Sequence, residues 1–167
     1  DESEPGTFKD RVILQTMPDL VLEGMAMAAL VVGAQKAIVY IRHEYAREHE
    51  ILHRTLRQNQ SRGVFGDIDF EIFASAGAYI CGEETALLEA LEDKRAEPRN
   101  KPPFPGTHGL FGTPTLMNNV ETFAMVPGIV LKGGAWWAAQ GKNGASGLKF
   151  LAVSGHARHP GVYEVPL

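Results

Sequence analysis

Cysteine is nearly absent: Cys81 is the one cysteine in 167 residues. An intrachain disulfide is therefore excluded, and so is any all-cysteine zinc or iron–sulfur site drawn from this chain alone. Long apolar runs are missing too. The longest uncharged stretch of the most apolar segment, Gly24 to Gln35, is twelve residues. Spanning a bilayer takes about twenty, so this segment reads as a buried core helix and no membrane insertion is expected. Basic charge is not in excess: 16 Lys and Arg stand against 20 Asp and Glu, for a net charge of −4. Nucleic-acid backbones are held by Lys and Arg displacing counterions, so nucleic acid is a poor partner. No signal peptide opens the chain, because Asp1-Glu2-Ser3-Glu4-Pro5-Gly6 is acidic and lacks an apolar core. There is no initiator Met, and the chain stops at Leu167 in mid-pattern, so it reads as a piece of a longer protein. The nucleotide fingerprints GxGxxG and GxxxxGK[ST] are absent, and Gly77 to Gly82, the nearest approach, lacks the middle glycine.

What is present is an ordinary soluble composition, 44% hydrophobic and 22% charged, which excludes wholesale disorder, a coiled coil or a collagen-like chain. The length suits one domain or slightly more. Residues 1–18 read as turn-rich, from Pro5-Gly6 and Met17-Pro18. Asp19 then caps an apolar helix to Val32, buried on most sides and stopped by Gly33. Ala37 to Ile41 is a continuous apolar run, as in a parallel strand covered on both faces. An amphipathic helix follows, about Glu44 to Gln58, with Tyr45, Leu52 and Leu56 on one stripe. Phe70 to Ala74 is the next strand, completing a βαβ unit. Small residues from Ser75 then lead into a helix of about Glu83 to Leu91. This puts a loop and a helix start at the carboxyl edge of a parallel strand, where open α/β sheets bind ligands. A Pro/Gly-rich loop covers 98–114. A helix begins near Asn118-Asn119, runs to Pro127, and restarts over 130–140. Residues 141–147 are a flexible connector. Strands at 148–154 and 162–165, around Pro160-Gly161, begin a second domain. The fold class is α/β, a Rossmann-like parallel sheet with flanking helices.

Several residue groups admit two readings. His49-Glu50-Ile51-Leu52-His53 matches HExxH, the helical zinc-protease pattern. No third histidine follows at the metzincin spacing, so an ordinary helix face is favoured over a zinc hydrolase. Asn59-Gln60-Ser61 is a formal sequon with little weight here. Glu83-Glu84 could merely complement a helix dipole, worth about 0.3–1 kcal/mol, or could face a ligand. Cys81 suits a small buried hydrophobe better than a nucleophile, since no histidine is near it in sequence. Phe104, set among Pro102, Pro103 and Pro105, packs a rigid loop or offers a platform for a planar ring. Asn118-Asn119 could be no more than a helix cap.

Taken together, three long motifs carry a resemblance. Ala78-Tyr79-Ile80-Cys81-Gly82-Glu83-Glu84-Thr85-Ala86-Leu87, then Arg99-Asn100-Lys101-Pro102-Pro103-Phe104-Pro105, then Asn118-Asn119-Val120-Glu121-Thr122 occur in this order. They resemble the flavin-bearing, NADH-oxidising subunit of the NADH:quinone oxidoreductases (respiratory complex I). That family includes the diaphorase subunits of NAD-reducing hydrogenases and NAD-linked formate dehydrogenases. Asp1 to Arg11 resembles the family's acidic segment, and Ser154-Gly155-His156 with Pro160 to Pro166 resembles the entry to its small ubiquitin-like domain.

The resemblance implies an FMN- and NADH-binding Rossmann-like domain over 1–144 and the start of a ubiquitin-like (SLBB-type) domain over 145–167. It implies hydride transfer from NADH to FMN, then single electrons to a [4Fe–4S] cluster whose ligands lie outside this chain, and finally to quinone. Asp1, Glu2, Tyr79, Gly82, Glu83, Glu84, Asn118 and Asn119 are implied to line the flavin pocket. Glu84 is also implied to bond the nicotinamide end of NADH, as the catalytic residue, and Phe104 to stack on adenine. No metal ligand is assigned within the chain. Implied partners are NADH and the iron–sulfur subunits of a larger complex, which is cytoplasmic and peripheral on the inner membrane face. The family's upstream Gly-rich phosphate loop and downstream iron-ligating cysteines are missing, and Ser75 stands where glycine is frequent. The alternatives are a hydrogenase- or formate-dehydrogenase-type diaphorase, and a non-catalytic structural relative.

Hydride transfer needs the two rings stacked within about 3–3.5 Å, so the protein mainly positions them. Backbone N–H groups at the helix start favour the reduced, anionic flavin and phosphate. The carboxylates oppose it: at an effective dielectric near 20, a unit charge about 4 Å away contributes about 4 kcal/mol. Glu84 is thus expected to orient NADH and to weaken NAD+ retention.

Overall fold

The computed structural model describes all residues, 1–167. Its centre is a βαβ unit. β1 (Lys36–Arg42) pairs in parallel with β2 (Asp69–Ser75), from Lys36↔Asp69 to Arg42↔Ser75. The crossover is α3 (Ala46–Ser61), whose buried residues Glu48, Leu52, Thr55, Leu56 and Asn59 recur at helical spacing on one face. In β1 the buried positions alternate, Ala37, Val39 and Ile41 inward, with the residues between them half-buried. The strand is thus well covered on one face and partly on the other, not on both as the apolar run suggests.

Two helices precede the sheet. The turn-rich reading of residues 1–18 is corrected by α1 (Lys9–Thr16), which buries Ile13 and Leu14. Its cap comes from outside the local pattern. The Asp10 and Arg11 N–H groups donate to the two Glu2 carboxylate oxygens at 2.8 and 3.2 Å, and the Tyr45 hydroxyl donates to the same carboxylate at 2.9 Å. α2 (Pro18–Val32) starts on Met17, with Pro18 preset at its first position. Asp19 is therefore not the cap; its carboxylate accepts from Asn59 of α3. Gly33, at φ 72°, ends the helix in the left-handed conformation. Val21, Leu22 and Met25 are buried, but Leu30 and Val31 in the last turn are 79% and 84% exposed. Burial on most sides holds for the first part of α2 only.

The core joins these elements: Ile13 and Leu14 of α1, Val21 and Leu22 of α2, Val39 and Ile41 of β1, Leu52 and Leu56 of α3, Phe70 of β2. Each full burial of such a side chain contributes about 1.5–3 kcal/mol.

After β2 the chain forms a short 3₁₀ turn, Tyr79–Gly82, and α4 (Glu84–Leu91). α5 (Pro105–His108) and a second 3₁₀ turn, Leu110–Gly112, lie in the Pro/Gly-rich loop. α6 (Val120–Lys132) then runs straight through Pro127, where the sequence reading ended a helix, and only α7 (Gly134–Ala138) follows. Proline lacks the N–H that would bond the carbonyl four residues back, that of Phe123. That carbonyl oxygen faces Gly24 of α2, where an added Cβ would lie only 1.9 Å from it. The missing hydrogen bond and the missing side chain meet at the α2–α6 crossing, which lets the two backbones touch.

The chain closes with a hairpin, β3 (Leu148–Val153) antiparallel to β4 (Gly161–Pro166). It forms a sheet separate from β1–β2, and Phe150 packs on the main core. No single helix is long and apolar enough to cross a membrane.

Candidate functional site

The carboxyl ends of β1 and β2 carry the polar groups that shape the following turn. Ser75 is 1% exposed. Its hydroxyl accepts from the Gly77 N–H at 2.9 Å and donates to the Tyr40 hydroxyl at 2.8 Å. Tyr40 donates in turn to Cys81 Sγ at 3.4 Å. Burial, followed by the bond to Cys81, pushes the Tyr40 phenol up to about 12. The Ala78 N–H donates to Asp1 Oδ2 at 2.9 Å. Residues 77–81 are thereby tied to both strands and to the segment leading into α1. Cys81, 3% exposed, packs as a small interior group.

This turn and the residues around α1 enclose a cleft of about 490 Å³. Of the residues singled out in the sequence, Asp1, Glu2, Tyr79, Gly82, Glu83 and Asn119 line it. Glu84, Asn118 and Phe104 do not. Ser3, Glu4, Thr7, Lys9, Asp10 and Ile80, which had not been assigned to a site, complete the lining. The cleft thus holds five carboxylates and one ammonium.

Several of these carboxylates are already committed to the fold. Glu2 caps α1. Glu83 is the N-cap of α4, its carboxylate accepting from the Thr85 and Ala86 N–H groups at 3.0 and 2.9 Å and from the Thr85 hydroxyl. Burial pushes the Glu83 carboxyl up, but these bonds and Lys101 outweigh it and hold the group below its ordinary value. The helix-start N–H groups expected to favour an anion are therefore already occupied by the chain's own side chain. Asn119 is also a cap: its Oδ1 accepts from the Glu121 N–H at 3.0 Å while its Nδ2 donates to Asp10 at 2.9 Å. Tyr79 is 66% exposed, and the Glu4 carboxylate beside it pushes its phenol up.

Glu84 sits at the rim. Its Oε1 accepts from the Lys101 ammonium at 2.7 Å, and the same ammonium donates to Glu83 at 3.0 Å. Glu84, then Glu83, push the Lys101 ammonium up. Lys101 belongs to the loop that carries Phe104. Arg99 pins that loop to α4, pairing with Glu89 and with Glu92 at 2.8 Å, while its backbone N–H donates to Thr85. Phe104 is 59% exposed on this loop. The Lys101 clamp went unread in the sequence because its partners lie 17 and 18 residues away, and no local spacing rule connects them.

The HExxH residues do not assemble a metal centre. His49 and His53 have ring centroids 6.3 Å apart, and no third side chain joins them in a group that could hold a metal ion.

Gly82 lines the cleft with bare backbone. A Cβ added there would meet no atom within 4 Å. Bare backbone beside open space allows the flat face of a ring to approach closely. The volume falls within the roughly 300–1,000 Å³ of cofactor and ligand sites. The acceptor-rich lining suits a ring system with amide-like N–H groups. A phosphate, by contrast, would face five carboxylates and a single, already paired ammonium, so it has to be held elsewhere.

Residues 1–128 match the family described as the Nuo51 FMN-binding domain. The chain is 46% identical, over 100% of its length, to one of the F subunits of NADH-quinone oxidoreductase in Rhizobium meliloti (strain 1021), covering 42% of that protein. It is 49% identical over 98% of its length to the NADH-quinone oxidoreductase F subunit of Rhodobacter capsulatus, covering 40% of that protein. It is 47% identical over 99% of its length to the alpha subunit of the NAD-reducing hydrogenase HoxS of Cupriavidus necator, covering 29% of that protein. A crystal structure of an NAD+-reducing [NiFe]-hydrogenase in the H2-reduced state superposes with a TM-score of 0.94 at 48% identity, covering 99% of this chain and 29% of that one. The chain therefore spans less than half the length of these relatives.

Proposed function

The chain belongs to the Nuo51 FMN-binding domain family, and from that premise we propose that its acidic cleft receives the isoalloxazine end of FMN and presents NADH to it. When bound, FMN supplies a two-electron acceptor for hydride and a one-electron donor to the next carrier. The observation that carries this reading is the bare Gly82 backbone, beside open space, in the wall of a cleft also lined by Tyr79, Glu83 and Asn119.

The residues then divide the work. Gly82 lets the ring approach, and Tyr79 offers an exposed aromatic edge beside it. Glu2, Glu83 and Asn119 shape the cleft through the caps they form on α1, α4 and α6. Asp1 holds the turn through Ala78. Asn118 adds an exposed amide next to the Asn119 cap. Glu84, at the rim with one oxygen on Lys101, accepts from the nicotinamide amide. Lys101 offsets part of its charge and lowers the electrostatic opposition to an anionic dinucleotide. Phe104 stacks on adenine, on a loop that Lys101 and Arg99 hold against α4. The phosphates are met by segments outside this cleft.

A [4Fe–4S] cluster, held by ligands outside this chain, would take single electrons onward in the assembly, to quinone as in complex I. The hydrogenase relatives support a second reading, a diaphorase reducing or oxidising NAD for a partner subunit. In either case the domain occupies 1–144, the hairpin begins a ubiquitin-like unit at 145–167, and the assembly is cytoplasmic and peripheral to the inner membrane. Glu84→Gln in the protein isolated with its native partners tests the site. Loss of a partly exposed charged hydrogen bond is worth about 1 kcal/mol, so NADH affinity should fall roughly fivefold. Unchanged affinity for both NADH and NAD+ would remove Glu84 from the site, and a protein without flavin absorbance would remove the reading.

A further inference from the structure

Lys9 is the one basic side chain lining the cleft, and a carboxylate outside the cleft holds it. Its ammonium meets Asp10 Oδ1, Asn119 Oδ1 at 3.0 Å and Glu121 Oε2 at 2.9 Å. Three acceptors use all three N–H bonds of an ammonium. Glu121, in the first turn of α6, is 7% exposed. Its carboxylate also reaches the hairpin: Oε1 accepts the Phe150 N–H at 2.8 Å, and Oε2 accepts from the Lys149 ammonium at 3.3 Å. Both donors belong to β3. One carboxylate is thus shared between the cleft's single ammonium and the hairpin of the following unit.

We propose that Glu121 is a positioning residue that makes the charge facing the flavin depend on the docking of the β3–β4 hairpin. This rests on the flavin reading of the cleft. Glu121 and Lys149 do not touch the cleft, so they act through Lys9. The side chains of Lys9, Asp10 and Glu121 are no more than 18% exposed, and charges in such surroundings are poorly screened. Burial pushes the Glu121 carboxyl up, but the Phe150 N–H and Lys9 outweigh it and keep the group ionised. The more of this charge the hairpin's donors absorb, the less of Lys9 is cancelled, and the more the cleft favours electron-rich, reduced flavin. When the hairpin lifts away, Glu121 turns wholly to Lys9 and the cleft becomes more negative.

Two substitutions separate this from a plain structural tie. Glu121→Gln keeps an oxygen for the Phe150 N–H and deletes the negative charge. Lys149→Met deletes the positive charge outside. Both weaken the tie between α6 and β3, so a purely structural role moves both variants in the same direction. The electrostatic role moves them in opposite directions. The measurement is the midpoint potential of the bound flavin, by spectroelectrochemical titration of the full chain in its native assembly. FMN affinity of the flavin-stripped protein, by fluorescence quenching, is a second readout. A positive shift is expected for Glu121→Gln and a smaller negative shift for Lys149→Met, whose side chain is 53% exposed. Shifts of one sign in both, or no shift in either, overturn the inference. If Glu121→Gln does not fold, Lys149→Met decides alone: a negative shift supports the inference and no shift overturns it. A wild-type protein that carries no flavin overturns the functional reading itself, and is distinguished by the first spectrum recorded.

Discussion

Replacing Glu83 asks whether the carboxylate at the head of α4 serves the helix before it serves a ligand. Its oxygens take two backbone N–H groups, the Thr85 hydroxyl and the Lys101 ammonium. Deleting such a cap costs about 0.5–2 kcal/mol. The ion pair, with Lys101 and Glu83 side chains 29% and 32% exposed, adds at most about 1 kcal/mol. Glu83→Ala should therefore cost about 0.5–3 kcal/mol and lower Tm by about 1–12 °C for a chain of this size. Glu83→Gln keeps an acceptor for the same N–H groups and should cost under about 1 kcal/mol.

The sign of the pH dependence follows from the depressed Glu83 carboxyl. Its stabilisation is complete above the unfolded value, about 4.3, and is lost as pH falls through the lower folded value. The wild-type advantage over Glu83→Ala should thus be full at neutral pH and shrink in acid. Calorimetry across the acid range reads both effects. An alanine variant as stable as wild type at pH 7, or a gap that persists unchanged in acid, would refute the cap assignment.

Two further substitutions test the close approaches made by glycine. Gly24→Ala places a methyl 1.9 Å from the Phe123 carbonyl oxygen; overpacking costs about 3 kcal/mol and better helix propensity returns about 1, so urea midpoints should show a net loss of about 2 kcal/mol. An equally stable alanine variant would mean that α2 and α6 do not touch there. At Gly82, which lines the cleft, an added Cβ meets no protein atom within 4 Å, so Gly82→Val should change stability by no more than about 0.5 kcal/mol while adding bulk beside the ring site. Flavin content of the purified protein should fall at least tenfold, and normal content would remove Gly82 from the ring site.

Much of the fold was legible because its signals are local. The apolar run at 37–41, the stripe of Leu52 and Leu56, and the second run at 70–74 each mark an element by its own periodicity, and the βαβ unit follows from their order. α1 was hidden because its cap, Glu2, lies outside the capping position, and because Pro5-Gly6 and Pro18 punctuate both ends. α6 was cut short because proline reads as a stop unless another helix comes close to the freed carbonyl; Gly24, almost a hundred residues earlier, does so. The motif at 78–87 marked the turn that walls the cleft. The roles of its two glutamates stayed open, since a cap and a ligand contact look alike in sequence.

Residue type, spacing and order were enough to mark the parallel βαβ frame and the stretch of chain at which the cleft forms, and three ordered motifs carried the resemblance to the family. How the charges are committed emerged with the folded arrangement alone. Folding set Glu83 on the α4 backbone, Glu84 on Lys101, Glu2 on α1, and Glu121 between Lys9 and the hairpin. Hydrogen bonds act over about 3 Å, and chain segments far apart in sequence are brought within that distance only when the core has packed.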